Sequence, residues 1–270
     1  MFCSTRKCWR SAPLSSEPTM PLRPILLPAD PQTPFPPVEW ALREPCGLLA
    51  IGGDLSIERL LNAYRHGIFP WYSEGQPILW WSPDPRAVFE TRCFALPSRF
   101  RRSLRQLPWR VTADQAFDAV INACASVPRR HQDGTWIVPE MLEAYRQFHE
   151  AGHAHSIEVW SGDRLVGGLY GVAIGRMFYG ESMFSLESGA SKAALGALMS
   201  RMREWGWPLL DAQVENPHLM QLGARRMPRT DFSQTVSELV RQSGNTGNWS
   251  ALFGEIDTAQ LAASRPALET

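Results

Sequence analysis

Acidic and amide side chains at alternate positions of two predicted strands are the first candidates for chemistry in this sequence. Asp211 and Gln213 stand two residues apart, so their side chains are expected on one face of a strand. Glu181 is expected on the same face as Tyr179 and Met183, where an acid beside aromatic and thioether surface could hold a cation. Both sets can equally be ordinary polar residues at a strand edge, and for Asp211 and Gln213 spacing alone favours that interpretation.

Tryptophans and arginines supply surfaces that suit a nucleic acid. Trp71, Trp136 and the Trp80-Trp81 pair offer rings on which a base could stack, at about 1–3 kcal/mol per base, although burial in a core explains aromatic residues as well. One dense basic run has no interleaved acid, and it consists of Arg99, Arg101, Arg102, Arg105 and Arg110, with Arg86 and Arg92 upstream. This run is the best candidate for contact with a phosphate backbone, and its alternative is a solvated helix face.

Composition excludes several classes of protein. A chain of 270 residues with 44% hydrophobic and 20% charged residues is not disordered throughout. Its 27 basic and 27 acidic residues cancel, so only a local patch can attract a polyanion. No stretch approaches the roughly 18 apolar residues of a membrane span. Five cysteines without C-x-x-C spacing predict neither a disulfide framework nor a zinc site, and His153 and His155 have no third ligand at a metal-like spacing. We expect a reduced, cytoplasmic protein without a membrane partner or a metal.

Helices and mostly antiparallel strands must position these side chains. Helices are predicted from Ser56 to Gly67, from Pro139 to Gly152 and over 190–205, and strands over 155–160, 165–174, 177–184 and 208–214. This mixture predicts an α+β sandwich rather than a doubly wound parallel sheet. We divide the chain into a disordered or over-annotated extension (1–20), a small N-terminal domain (21–84), a main domain (85–241) and a flexible tail (242–270).

Nine motifs between residues 24 and 235 resemble, in the same order, those of the leucyl/phenylalanyl-tRNA–protein transferases. They are FPP (35–37), GLLAIGGDL (47–55), AYRHGIFPW (63–71), PILWWSPDPR (77–86), GTWI (134–137), GHAHSIEVW (152–160), GESMFS (180–185), DAQV (211–214), and LGA (222–224) with PR (228–229). The resemblance implies an N-acetyltransferase-like (GNAT-like) fold for 85–241. It implies transfer of Leu or Phe, less readily Met, from aminoacyl-tRNA to the α-amino group of proteins that begin with Arg or Lys. Such transfer marks bacterial proteins for N-degron proteolysis, and it uses no metal or bound cofactor. We also expect a monomer.

The resemblance also implies roles for individual residues. Asp211 and Gln213 match the catalytic pair, and Glu181 matches the acid of the transfer site. Trp71 and Trp136 match aromatic residues near the 3′-terminal adenosine, and Tyr64 and Tyr145 match tyrosines that line the same region. The aminoacyl side-chain pocket would be lined by Leu169, Phe178, Met183, Leu198 and Leu210. Strand alternation does not put these five on one face, so the pocket requires a splayed or helix-backed sheet. Departures from the family pattern are Leu186, Gly189 and Asp133.

Positioning rather than base strength is what this reaction needs. An α-amine has a pKa of about 7.7–8.0, so roughly a tenth or more of it is neutral near pH 7. Holding that amine against an activated ester can supply up to ~7–11 kcal/mol. Our hypothesis is that Asp211 orients Gln213, whose carbonyl oxygen accepts a hydrogen from the amine, and that Asp211 favours the positive charge developing on nitrogen. The rival interpretations are an acyl-CoA-dependent acetyltransferase and a non-catalytic RNA-binding protein.

Overall fold

The computed structural model describes residues 23–126 and 137–263, and the strands in these ranges form two sheets. The smaller sheet has four strands, which are β1 (Ile25–Leu27), β2 (Leu48–Gly52), β3 (Phe69–Pro70) and β4 (Leu79–Trp81). The larger sheet has eight, which are β5 (Arg86–Glu90), β6 (Trp109–Ala113), β7 (Ala154–Ser161), β8 (Arg164–Ile174), β9 (Met177–Ser185), β10 (Leu209–Asp211), β11 (Arg225–Met227) and β12 (Ile256–Asp257). The spatial order is β1-β2-β4-β3 in the smaller sheet and β11-β5-β10-β9-β8-β7-β6-β12 in the larger one.

Helices lie between these strands along the chain. In the described ranges they are α1 (Ile57–Arg65), α2 (Ser98–Leu104), α3 (Phe117–Ser126), α4 (Pro139–Glu150), α5 (Ala190–Glu204), α6 (Pro217–Gln221), α7 (Arg229–Leu239), α8 (Ser250–Phe253) and α9 (Thr258–Ala263), besides a 3-10 turn over Val38–Trp40. Ser56 caps α1 as predicted, because its hydroxyl accepts the Arg59 amide at 3.3 Å. Asn216 caps α6 through the Leu219 amide at 2.9 Å. α5 is buried along most of its length because small and aliphatic residues cover nearly its whole circumference, and it packs on β7 and β8.

The mixture of helices with antiparallel strands confirms the predicted α+β class. β7, β8 and β9 form the predicted antiparallel meander. β10 then lies parallel to β9 and antiparallel to β5, so the carboxyl ends of β9 and β10 lie at the same edge. None of the helices in the described ranges is long and apolar enough to span a bilayer. The N-acetyltransferase-like assignment stays a prediction.

A β-bulge in β9 sets the face of the sheet toward which the side chains on either side of Glu181 point. Tyr170 pairs with Ser182, but its neighbour Gly171 pairs with Gly180, so Glu181 is the extra residue. Beyond the bulge the alternation changes phase. Met183 therefore lies on the face of Phe178 rather than on that of Tyr179, and the prediction that Tyr179, Glu181 and Met183 share a face is wrong.

The two sheets share a hydrophobic cluster. Tyr64 and Trp80 from the N-terminal part pack in one cluster with Met141, Met177 and Tyr179 from the main part. A second cluster lies on the other face of the larger sheet and includes most of the buried surface of α5. The division of the chain at residue 84 stays a prediction.

The segment 249–262 is packed, so the prediction of a flexible tail is wrong there. Trp249 is fully buried and stacks on the His155 ring at 3.7 Å between centroids. Its backbone amide donates to Asp114 Oδ2 at 2.8 Å. β12 extends the larger sheet by pairing with β6. Sequence periodicity missed this segment because its elements are short and a single large side chain anchors them. The predicted extension 1–20 and the last residues of the chain lie outside the described ranges.

Candidate active site

A cavity of about 880 Å³ opens beside the carboxyl ends of β9 and β10. Its size is within the range of about 300–1,000 Å³ that small-molecule sites occupy. The apolar part of its wall includes Phe89, Leu169, Phe178, Met183, Leu195 and Leu210. The polar part includes Glu181, Ser185, Ser191, Gln213, Glu215, Asn216 and His218. The cavity can therefore take a ligand with one apolar end and one polar end.

Four of the five residues predicted for the aminoacyl pocket line this cavity, namely Leu169, Phe178, Met183 and Leu210. The bulge is the reason, because it brings Phe178 and Met183 onto one sheet face despite their odd spacing. Leu198 does not line the cavity; it packs in the second hydrophobic cluster. Leu195 lines it instead, one turn earlier on the same helix.

Gln213 is held at the cavity wall by hydrogen bonds of its backbone and side chain. Its amide donates to Asp211 Oδ1 at 2.8 Å, and its carbonyl accepts the Ala87 amide at 3.2 Å. Its side-chain Nε2 donates to Glu181 Oε1 at 2.8 Å. This bond turns the NH2 of the Gln213 amide toward Glu181, which leaves Gln213 Oε1 to accept from a donor in the cavity.

The strand ends before Gln213, so the expectation that Asp211 and Gln213 lie on one face of a strand is corrected. β10 stops at Asp211, and Gln213 has a left-handed backbone with φ of 60°. Asp211 and Gln213 are therefore not placed on one strand face by alternation. The Asp211 carboxylate reaches Gln213 through the backbone amide instead.

Glu181 is a buried carboxylate whose two oxygens both accept from tyrosines. The Tyr64 hydroxyl lies 2.7 Å from Oε1 and the Tyr145 hydroxyl lies 3.1 Å from Oε2, and the two hydroxyls also lie within hydrogen-bonding distance of each other. Because each hydroxyl has one hydrogen, the two tyrosines donate in only two of these three contacts at a time. Burial raises the pKa of Glu181 to about 7, although the tyrosine hydrogen bonds act in the opposite direction. Both tyrosines are fully buried behind Glu181 and do not line the cavity, contrary to the expectation.

Asp211 is neutralised by a buried arginine. Arg86 Nε donates to Oδ1 at 2.9 Å and Nη2 donates to Oδ2 at 2.7 Å, with both side chains inaccessible to solvent. The guanidinium lies between the rings of Phe69 and Phe232, at 4.7 and 4.6 Å from their centroids. Arg86 is thus no phosphate contact, which corrects the prediction from the basic run. Asp211 does not line the cavity, so its carboxylate is not placed to contact an amine there; it contacts Gln213 through the backbone amide.

The predicted nucleic-acid contacts are separated in the structure. Trp71 lines the cavity and is 38% exposed, with its ring 5.8 Å from that of Trp81. Trp80 is buried in the core, and Trp136 and Asp133 lie outside the described residues. Four members of the arginine run lie on or just after α2, away from the cavity wall; Arg99, Arg102 and Arg105 are exposed and Arg101 is half-buried. The fifth, Arg110, lies on β6, where it is half-buried and pairs with Glu255.

The raised pKa of Glu181 predicts a pH dependence of stability. An acid whose pKa is higher in the folded state binds more protons there, so its contribution to stability falls between its ordinary value of 4.5 and about 7. Glu181→Gln removes this titration. We expect the free energy of unfolding of the variant to fall less than that of the wild type between about pH 5 and pH 8.

Urea unfolding at the two pH values measures the difference. Burial also raises the pKa of Glu158 on β7, which adds a fall of the same sign to both proteins. An equal fall for wild type and variant would contradict a raised pKa at Glu181.

Together the cavity and Gln213 define the class of protein. An apolar wall beside an oriented amide oxygen suits an acyl donor with an apolar side chain and an incoming amine, which is the arrangement of a group-transfer enzyme. Comparison with known proteins gives the family. A family model described as leucyl/phenylalanyl-tRNA protein transferase matches residues 88–237, and a model of the N-terminal domain of that family matches residues 53–84. The chain belongs to the leucyl/phenylalanyl-tRNA–protein transferase family.

Individual relatives agree with the family models. The chain is 62% identical over 242 residues to the leucyl/phenylalanyl-tRNA–protein transferase of Xanthomonas axonopodis pv. citri (strain 306), covering 90% of this chain and 97% of that protein. It is 62% identical over 231 residues to the protein of that name from Xylella fastidiosa (strain M12), covering 86% and 95%. Among solved structures, L-PGS from Bacillus licheniformis is similar at a TM-score of 0.36, with 10% identity over 62% of this chain and 53% of that one, which does not establish a shared fold.

Proposed function

We propose that this protein transfers Leu or Phe, less readily Met, from aminoacyl-tRNA to the α-amino group of proteins or peptides that begin with Arg or Lys. Membership of the family supports the donor and the reaction. The observation that carries the proposal is Gln213, whose side-chain oxygen is turned toward an apolar cavity by its hydrogen bond to Glu181. Asp211 and Gln213 are then the functional pair, the first positioning and the second catalytic.

The reaction exchanges an ester bond for an amide bond and moves one proton from nitrogen to oxygen. The neutral amine attacks the ester carbonyl, the C–N bond forms, the ester C–O bond breaks, and the proton lost by nitrogen ends on the ribose hydroxyl. Gln213 Oε1 accepts a hydrogen from the amine and directs its lone pair at the carbonyl. The Leu or Phe side chain occupies the apolar wall formed by Leu169, Phe178, Met183 and Leu210. An apolar pocket separates side chains by only about 1–3 kcal/mol per methylene, so the preference for Leu should be graded.

Further features belong to the same proposal. The terminal adenine stacks on Trp71, which is partly exposed at the cavity wall. Residues 85–241 form a GNAT-like domain, and 21–84 form the small domain that supplies Trp71. The protein acts as a cytoplasmic monomer without a bound cofactor, and the peptide bond that it forms marks acceptors for N-degron proteolysis.

The arginine run on α2 is expected to bind the tRNA backbone. Replacing Arg99, Arg101, Arg102 and Arg105 by Gln should flatten the dependence of tRNA affinity on salt. The slope of log K against log salt should become shallower by about 0.7–0.9 for each phosphate that the variant no longer neutralises. Binding titrations at several salt concentrations measure this slope.

A matched variant controls for net charge in that experiment. It replaces four exposed arginines from other parts of the chain, which are Arg23, Arg43, Arg164 and Arg241. Equal slopes for the two variants would show that the run on α2 has no special part in binding.

One assay tests the proposed function as a whole. Labelled Leu on charged tRNA is offered with a peptide that begins with Arg, and acetyl-CoA replaces the tRNA in a parallel reaction. We expect labelled peptide from the first mixture and no acetylated peptide from the second. Tight tRNA binding without transfer would favour an RNA-binding protein, and acetylation would favour an acyl-CoA-dependent enzyme.

A further inference from the structure

The apolar wall of the active cavity has a second layer of aromatic rings, to which the C-terminal segment contributes. Phe178 lines the cavity and is fully buried. Its ring centroid lies 5.9 Å from that of Trp249, with the two planes inclined by 40°. Trp249 is itself fully buried and does not line the cavity. Trp249 therefore meets the cavity wall through the Phe178 ring and not through contact with a ligand.

The backbone beneath Phe178 determines where its ring can lie. A Cβ atom at Gly171 would be 2.5 Å from Phe178 Cε1 and 2.6 Å from Cζ, so the ring occupies the space that a side chain at this position would take. Gly171 pairs with His155 across β7 and β8, and the His155 ring stacks on Trp249 at an angle of 9°. The Phe178 ring thus lies over β8 beside the stack of His155 and Trp249. The sheet prevents the ring from moving in one direction, and Trp249 limits its movement in another.

Trp249 is held firmly enough to serve as a fixed support. Its Nε1 donates to the Asn245 carbonyl at 3.0 Å, and its backbone amide donates to Asp114 Oδ2. The rings of Trp205 and Trp207 meet it edge to face, with centroids at 5.0 and 5.7 Å. A buried ring with two hydrogen bonds and close-packed neighbours has no space in which to turn. The C-terminal segment thus places a rigid ring against the wall of the cavity.

The position of such a wall decides which apolar side chains fit. An apolar pocket discriminates by size, because one methylene more or less changes the preference by roughly 10–200-fold. The side chain of Phe is longer than that of Leu. A Phe178 ring that moved back from the cavity would deepen the pocket and favour the longer side chain.

We propose that Trp249 sets the length of the donor side chain that the pocket accepts, by holding the Phe178 ring against the cavity. Trp249 is a positioning residue, because it contacts the wall of the pocket and not the donor. The assignment rests on the proposed function, and it adds a residue of the C-terminal segment to those that determine donor specificity.

Steady-state transfer from tRNA charged with Leu and from tRNA charged with Phe tests the assignment. For Trp249→Ala we expect the ratio of kcat/KM for Leu to that for Phe to fall about fivefold or more, because the Phe178 ring can move into the vacated space. Indole at millimolar concentration should restore the ratio toward the wild-type value, since an apolar cavity left by a truncated side chain can take up an aromatic molecule. Loss of stability alone would lower transfer of both amino acids by the same factor and leave the ratio unchanged.

A milder variant serves if Trp249→Ala does not fold. Trp249→Phe keeps a ring and should shift the ratio in the same direction by about twofold or more. Combined with Phe178→Leu, it also tests how the effect reaches the pocket. If Trp249 acts through Phe178, the double variant should have the ratio of Phe178→Leu alone. Independent, additive shifts would overturn the assignment.

Phe253→Ala is the matched control from the same segment. Phe253 is fully buried, and its ring contacts Trp205 and Arg201. This variant should lower Tm as Trp249→Ala does, yet keep the Leu-to-Phe ratio within about twofold of the wild type. An unchanged ratio in the Trp249 variants, or an equal shift in Phe253→Ala, would overturn the role of Trp249 while wild-type transfer stands. Wild-type protein that transfers neither amino acid would contradict the proposed function.

Discussion

Replacing Gln213 by Gly or Glu is expected to lower the rate of transfer by about 10²–10³-fold while tRNA affinity changes by less than about threefold. The Gln213 side chain supplies the only oriented hydrogen-bond acceptor that we assign to the amine. Its own hydrogen bond goes to Glu181 rather than to the aminoacyl-tRNA. Gly removes the side chain and tolerates the φ of 60° without strain. Glu keeps the size but places a second negative charge against Glu181.

Single-turnover transfer and tRNA binding, measured side by side, separate chemistry from affinity. Because Gly fits the left-handed backbone, the Gln213→Gly variant should unfold at no lower urea concentration than Gln213→Ala. Gln234→Ala, an exposed glutamine on α7, serves as the control and should change neither quantity. Parallel losses of binding and turnover in the Gly variant would mean that Gln213 holds the donor instead of directing the amine.

Local signals in the sequence predict the elements around the site well. Ser56 begins α1 with a capping hydroxyl, and Asn216 does the same for α6. The meander of β7, β8 and β9 follows from three apolar runs joined by short turns. In each case the signal lies within a few residues of the feature, so neighbouring sequence is sufficient.

Long-range pairings cannot be predicted in the same way. The bulge at Glu181 depends on the register of β9 against β8, which alternation alone does not reveal. The partner of Asp211 is 125 residues away, so sequence alone groups Arg86 with the exposed basic residues. Leu198 and Leu195 are both apolar residues of one helix, and only packing decides which of them faces the cavity. The residues of the site are thus easier to predict than the bonds that hold them.

Breaking the Arg86–Asp211 pair should have the largest effect on stability. Asp211→Ala leaves a buried guanidinium without a counter-charge, which typically costs about 3–5 kcal/mol. It also removes the acceptor of the Gln213 amide, so we expect transfer to fall by about 10²-fold even where the variant is folded. Urea unfolding gives the first quantity, and transfer under saturating substrates at low temperature gives the second.

An apolar replacement of the whole pair separates stability from positioning. Arg86 lies between two phenylalanine rings, so Met in its place with Leu for Asp211 should pack well. Such replacements are often neutral or stabilising by about 1–4 kcal/mol. The Arg86→Met/Asp211→Leu variant should therefore recover most of the stability that Asp211→Ala loses, yet remain impaired in transfer because the Gln213 amide still has no acceptor. Asp118→Ala, which breaks an exposed ion pair with Arg146, should cost less than about 1 kcal/mol and leave transfer intact. If transfer returned together with stability in the double variant, Asp211 would be only a structural counter-ion, and Gln213 would hold its position without it.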